Sequence, residues 1–491
     1  MTLSENPIYL TQKRLVHRGG VLAAILITSL VGLSLLAGLI AYLANPEGIH
    51  FDSPQEAGKV FYGWTVGIEA LAMIVGIAFR VSRSLADDRK AGLWDSNRLT
   101  PLRAEQIVAG YWFGAGLREL YASIPLAACG LLIVLLSKLP IMVWVGSQIL
   151  ILSSAYFFAL ICLVASLVFE RQQGALLVVA LFILYPFSII VPSRMLTNFL
   201  LPTYSIAYLF HIDDRDWNLF PHIFNVPIHP VLLSIGIQFL VGIFFWRAAL
   251  RKTARPTQPL MSRWEAFALF AILVVIQQGL IWNIWMGQYP NKIGAQRVGF
   301  GEIPLLQLVY AATMFVGVII LGTTSPLPEV VRIESLRQKF GNSRSIFSRS
   351  VVGLAVALAL VGGAGVFAQC IFSIQDMWRV VLAVAINLAE LLVIFTLLLE
   401  FCRLRHKRLA VGFITLWLFI LWVLPFILGL VFLNWGFVRA SLLTPGFFAL
   451  AKNFDQDWNL LFLTELAHFG IVVVLFLAWR RQWNRLLAKA S

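Results

Sequence analysis

Residues 60–94 read VFYGWTVGIEALAMIVGIAFRVSRSLADDRKAGLW. Over 60–79 a single charge, Glu69, interrupts an apolar run, and from Arg80 onward basic and acidic residues crowd the chain. A membrane-spanning helix needs about 20 mostly apolar residues at 1.5 Å rise each. The first part is therefore read as one span and the second as its watery continuation. Lipid offers no partner to a backbone N–H or C=O, and the run lacks the in-out alternation of a barrel strand, so the span is helical. Runs of this kind recur twelve times, at 20–44, 60–79, 112–137, 141–168, 175–191, 230–249, 266–286, 304–322, 351–371, 379–400, 409–433 and 459–479. The expected fold class is all-α, a polytopic integral membrane protein of about twelve transmembrane helices.

Composition agrees, with 59% hydrophobic residues, 13% charged residues and a mean hydropathy of +0.84, far from a soluble average. The net charge of +14 raises the question of nucleic acid, and the placement of the charge answers it. With the N-terminus set inside, most of the 38 Lys and Arg residues fall on cytoplasmic segments. That is the positive-inside pattern, with both termini cytoplasmic in a bacterial plasma (inner) membrane and no nucleic-acid partner. Glu47, Asp52 and Glu56 make the first external loop acidic. The first span is too long for a signal peptide, and residues 41–44 lack small-x-small spacing, so it is expected to stay attached. Cys129, Cys162 and Cys370 fall within spans and Cys402 at a helix end, with no paired spacing, so neither a disulfide nor zinc is expected.

The spans divide into halves. Asp216-Trp217-Asn218-Leu219 recurs as Asp457-Trp458-Asn459-Leu460, each copy just before the last span of its half. Leu200-Leu201-Pro202-Thr203 and Leu442-Leu443-Thr444-Pro445 precede them, and the spans end in Trp246-Arg247 and Trp479-Arg480. The reading is a 6+6 tandem repeat, parallel because six spans return each half to the same side. The first half is 1–249, with an external loop at 192–229; a cytoplasmic linker rich in Arg and Pro occupies 250–265; the second half is 266–491, with a cytoplasmic loop at 323–349 and an external loop at 434–458. His211, His222 and His229 share the first external loop at irregular spacing, which argues against a metal site.

Between the second and third spans, Asp88-Arg89-Lys90-x-Gly92-Leu93-Trp94-Asp95 is followed by Leu99-Thr100-Pro101-Leu102 and Ile107-Val108-x-Gly110. This segment, 80–110, resembles the corresponding cytoplasmic segment of the permease subunits of type-2 ABC exporters (the ABC-2 family). Those carry an acidic-Arg-acidic-x-Gly-Thr-Leu-Glu run, a Thr-Pro-Leu step and an Ile-Val-Leu-Gly-Lys entry to the third span. The resemblance implies a coupling helix, formed around Asp88, Arg89, Gly92, Leu93, Trp94, Thr100 and Pro101, that seats in separate cytoplasmic ATPase subunits, two copies per pore. ATP and Mg would be used by that partner, with no cofactor bound by this chain. The residues support an amphipathic helix: Leu85, Gly92, Leu93 and Leu99 form an apolar side, Arg83, Asp87, Arg89, Lys90 and Asp95 a charged one, and Pro101 closes it. Tyr111 stands where the family often has lysine, and Lys90 where it often has an acid. The equivalent stretch of the second half, residues 324–335, has no Gly-Leu-Trp element.

A nucleotide site needs G-x-x-x-x-G-K-[ST] so that backbone amides cradle phosphate. Gly58-Lys59-Val60 lacks the first glycine and the hydroxyl, so the chain is expected to be a transport subunit and no enzyme. Glu69 and Glu390, central in their spans at a cost of about 2.5–3.5 kcal/mol each on insertion scales, are candidates for a translocation path or for helix–helix hydrogen bonds. Arg118-Glu119 is placed at the cytoplasmic interface, while Gln277, Gln278, Asn387, Glu465 and His468 are read as packing contacts. The rival reading is a secondary, ion-gradient-driven transporter of the major facilitator type. Its G-x-x-x-D-R-x-G-R-R signature fits Asp88-Arg89 but fails at Ser84, at Gly92 and at the missing Arg pair. Substrate identity is not legible, since apolar spans with few buried acids suit lipids, drugs and glycolipids alike.

Overall fold

The structure, a computed structural model, describes residues 5–18, 20–44, 53–168, 196–200, 203–210, 221–224, 226–255, 258–285 and 458–490, with isolated positions between 358 and 401. The described chain is helical apart from two short strands, β1 (His222–Ile223) and β2 (Val226–Pro227). Six of its helices are long and apolar enough to cross a membrane. The expected spans at 175–191, 304–322 and 409–433, most of 351–371 and 379–400, and the loops at 323–349 and 434–457 lie outside the described residues. By contacts the chain separates into two units, 1–221 with 227–256, and 222–226 with 257–491.

In the first unit an unexpected helix, α1 (Pro7–Arg18), precedes α2 (Val21–Ala44). Asn6 starts it, its Oδ1 accepting from the backbone N–H of Ile8 at 3.0 Å and satisfying a donor that the first turn leaves orphaned. The left-handed Gly20, φ 73°, turns the chain into α2. Helix α3 (Pro54–Lys90) is started by Ser53, whose Oγ accepts from Glu56 N, and by Pro54 in the first turn. Its 37 residues give about 55 Å of length against about 30 Å of hydrocarbon, so the helix extends well beyond one bilayer face. Short α4 (Leu93–Leu99) follows, then α5 (Ala104–Gly114), α6 (Leu117–Leu136) and α7 (Ile141–Val168).

The third expected span, 112–137, is thus entered through a separate helix with a break at Ala115 and Gly116. A Cβ on Gly116 would lie 2.6 Å from Ile77 Cγ2, so the break is also a point of close approach to α3. Short helices α8 (Leu196–Leu200) and α9 (Thr203–Phe210) lead to α10 (Pro230–Ala254). Helices α3, α6, α7 and α10 pack through Tyr62, Ile77, Val81, Leu126, Ile133, Leu150 and Ile237, all buried. Outside, Leu22, Leu26 and Leu30 of α2, Leu135 of α6 and Leu232 and Phe239 of α10 are exposed. This inversion of the water-soluble pattern suits acyl chains.

Close approach sets one strong expectation. A Cβ at Gly58 of α3 would overlap the Ser137 side chain at the end of α6, and Ser137 is itself buried. Gly58→Ala is expected to destabilise the unit by about 1–3 kcal/mol, the usual cost of overpacking, with partial recovery when Ser137→Gly is added. Unfolding of purified protein in detergent measures both; an unchanged midpoint for Gly58→Ala would contradict the packing described.

In the second unit α11 (Arg263–Trp285) begins with a reciprocal cap, Ser262 N–H donating to Glu265 Oε2 at 2.8 Å and Glu265 N–H to Ser262 Oγ at 3.2 Å. The last helix, α12 (Trp458–Ala490), covers the expected span at 459–479 and starts inside the second Asp-Trp-Asn-Leu copy. Its Trp479 and Trp483 are buried with Leu397.

Candidate functional site

Helix α3 ends where the chain needs a left-handed residue. Ala91 N–H closes on Asp87 O, and Gly92, φ 71°, supplies the turn, a conformation that costs any residue with a Cβ roughly 1–2 kcal/mol. Helix α4 then runs for seven residues and stops at Thr100 in extended conformation. Pro101 disfavours a helical conformation for the residue before it, and Thr100 Oγ1 donates to Asn97 O at 2.5 Å. Arg103 N–H donates to Gln106 Oε1 at 2.9 Å to open α5.

The expected single amphipathic helix is therefore two helices joined by an elbow, and its faces are redistributed. Arg89, expected on the charged outer side, turns inward. Its guanidinium donates to Ser166 O at 2.5 Å and Leu167 O at 3.1 Å in the last turn of α7, and its Cζ lies 5.6 Å from the Trp94 ring centroid. Arg98 does the same for α10, donating from Nε to Thr253 O at 3.0 Å. Carbonyls at a helix C-terminus lack intrahelical donors and carry partial negative charge, so cations are favoured there. Asp88 accepts from Tyr111 OH at 2.5 Å, and Asn97 Nδ2 donates to the same phenol at 3.3 Å. Trp94, expected as a partner contact, is only 6% exposed and packs on Tyr111 with ring centroids 5.7 Å apart.

Leu85 is fully buried on the inner face of α3, whereas Leu93 is 52% and Leu99 89% exposed. The outward surface of the elbow is thus Leu93 and Leu99, with exposed Arg83, Asp87, Lys90, Asp95, Thr100 and Pro101 around them. Arg83 and Asp87 make an exposed ion pair at 3.6 Å. Of the expected coupling residues, Leu93, Gly92, Thr100 and Pro101 lie outside, and Asp88, Arg89 and Trp94 brace the elbow from within.

A second constellation lies inside the membrane-spanning part. Glu69 of α3 is 1% exposed; its Oε2 accepts from Gln148 Nε2 of α7 at 2.9 Å, while Oε1 is buried without a hydrogen-bond partner. Two turns away Tyr62 OH lies 2.5 Å from Ser147 Oγ. About three turns from Glu69 toward the elbow, outside that constellation, Arg80 Nε donates to Glu119 Oε1 at 2.9 Å, with Glu119 seated on Gly76, where a Cβ would lie 2.8 Å from its Cγ. Glu390 is partly buried at one of the isolated described positions.

Sequence reading missed Arg98, Tyr111, Gln148 and Ser147 as partners. Each meets a residue at least 14 positions away; Gln148 and Ser147 sit in no motif, and the motif that holds Arg98 and adjoins Tyr111 names no contact for either. Among the described residues no group of three His, Cys, Asp or Glu is placed to hold a metal. His229 stacks edge-on against Tyr208, ring centroids 5.5 Å apart, and its partial burial lowers its pKa below the ordinary value. Cys129 and Cys162 are buried free thiols. Compared with protein-family models, curated proteins and solved structures, the chain finds no match in any of the three.

Proposed function

We propose that this chain is the membrane permease of an ATP-driven exporter of the type-2 ABC class, and that the α3–α4 elbow receives a cytoplasmic ATPase. In this reading twelve helices form two parallel six-helix halves in a bacterial inner membrane, both termini lie in the cytoplasm, and two ATPase subunits supply ATP and Mg chemistry. The observation that carries it is the elbow itself. It presents two outward leucines ringed by charge on a seven-residue helix that Arg98 ties to the end of α10, while Arg89, in the last turn of α3 and over the Trp94 ring, ties the elbow to the end of α7. An apolar anchor with a polar rim is the anatomy of a protein–protein contact. Force applied to Leu93 and Leu99 reaches two helices through charge-assisted hydrogen bonds, which are short and directional.

The test is purification in mild detergent with a search for a P-loop ATPase whose hydrolysis rate changes on reconstitution with this chain. Absence of such an ATPase, with transport driven by an ion gradient alone, would overturn the reading. That outcome would favour a secondary carrier, for which the relevant observation is Glu69, a buried carboxyl with one oxygen unpartnered. Glu69→Gln separates the two. As a helix–helix hydrogen-bonding group it tolerates the amide, and transport changes by about threefold or less, the scale of such bonds in membranes. As a proton carrier it does not, and gradient-driven transport disappears.

A further inference from the structure

We propose that the outer face of α1, with Lys13 and Arg14, together with Arg118 at the corner between α1 and α2, binds the headgroups of anionic phospholipids. Helix α1 has one face committed to protein. Asn6 Nδ2 donates to Gln106 O at 2.6 Å, Ile8 closes on Gly110, where a Cβ would lie 2.8 Å from its own, and Gln12 Nε2 donates to Ser84 Oγ at 2.8 Å. At 100° per residue Lys13 and Arg14 fall on the side opposite Ile8 and Gln12, and both are exposed. Residues 7–18 contain no Asp or Glu, so nothing on α1 neutralises these cations. Arg118 reaches the corner from α6, its Nη2 4.0 Å from where a Gly20 Cβ would stand. The nearby carboxylate, Glu119, is taken by Arg80, and among the described residues Lys13, Arg14 and Arg118 have no ion-pair partner.

Depth identifies the occupant. Helix α2 begins three positions after α1 ends, and its exposed Leu22, Leu26 and Ile27 begin the apolar surface at once. The corner therefore stands where hydrocarbon gives way to headgroups, and unpaired cations at that level meet lipid phosphate. Because α1 holds Ser84 on α3 and Gln106 on α5, the two helices that flank α4, lipid charge bears on how firmly the elbow is held. The inference stands on this geometry whether or not α4 receives an ATPase.

The experiment is native mass spectrometry of the full chain in detergent, titrated with phosphatidylglycerol and, separately, phosphatidylcholine. The wild type is expected to bind phosphatidylglycerol more tightly. Lys13→Gln, Arg14→Gln and Arg118→Gln should each lower that constant by about fivefold, the worth of one cation near an anionic surface, and Thr11→Gln on the same helix should leave it unchanged. Raising ionic strength, which screens exposed charges, removes the wild-type preference in a nanodisc measurement and needs no variant. A triple variant with wild-type selectivity, or a wild type that binds both lipids equally, would overturn the proposal.

Discussion

With α4 as the proposed ATPase contact, replacing Leu93 and Leu99 together by aspartate is expected to weaken that association by roughly a hundredfold or more while the chain remains folded in the membrane. The size follows from burial. Two leucines moved from water into a contact are worth about 1.5–3 kcal/mol each, and a carboxylate left in their place must also be desolvated. Fold is spared because both side chains project from α4, Leu99 at 89% exposure. Trp94→Asp would be a poorer probe, since Trp94 is buried against Tyr111 and its loss damages the elbow before any partner arrives. Binding of the purified ATPase to reconstituted permease measures the effect, with size-exclusion behaviour as the folding control. Wild-type binding by the double variant would remove α4 from the interface.

Arg89→Ala is expected to cost about 3 kcal/mol of stability, the second large effect. Hydrogen bonds from a charged donor contribute about 1.5–3 kcal/mol each, and Arg89 makes two to α7 carbonyls besides its contact with Trp94. Arg89→Lys should recover only part, because a compact ammonium lacks the planar, spaced N–H groups with which the guanidinium reaches two adjacent carbonyls. Arg83→Ala is the matched control, six residues earlier on the same helix. Its pair with Asp87 is half-exposed on both sides, and exposed pairs contribute about 0–1 kcal/mol. Denaturant titration of the three variants in micelles checks the order; equal losses for Arg83→Ala and Arg89→Ala would contradict the bracing role.

Among the described residues the long apolar helices were legible because one-dimensional signals carry them. The apolar run at 141–168 is α7 to the residue, and 20–44 is α2 within one, since hydrocarbon thickness dictates the length of such runs. The stop before Pro101 was legible for the same local reason, a steric exclusion between neighbours. The elbow was not. A continuous charged pattern from Arg83 to Asp95 reads as one helix, and only the left-handed Gly92 splits it. Arg89 looked like a surface charge because its partners, the carbonyls of Ser166 and Leu167, are backbone atoms nearly eighty positions away.

Helix α1 also escaped, being too short and too polar to register as a span. Its signature was the pairing of Ile8 and Gln12 with Gly110 and Gly114, four apart on both helices, which becomes visible only when the two are side by side. Glu69 was legible as an intramembrane acid, but its partner Gln148 was not, because a single glutamine in an apolar run names no neighbour.

Whether an ATPase grips the elbow, as proposed, is decided at Leu99. A photo-crosslinking amino acid placed at Leu99, with a second at Leu26 on the lipid-facing side of α2 as reference, tests this in intact membranes. A Leu99-specific product containing a P-loop ATPase is expected, and none from Leu26. A fully inserted permease that yields no ATPase adduct from Leu99, or whose Leu99 position reacts only with reagents confined to the cell exterior, contradicts it.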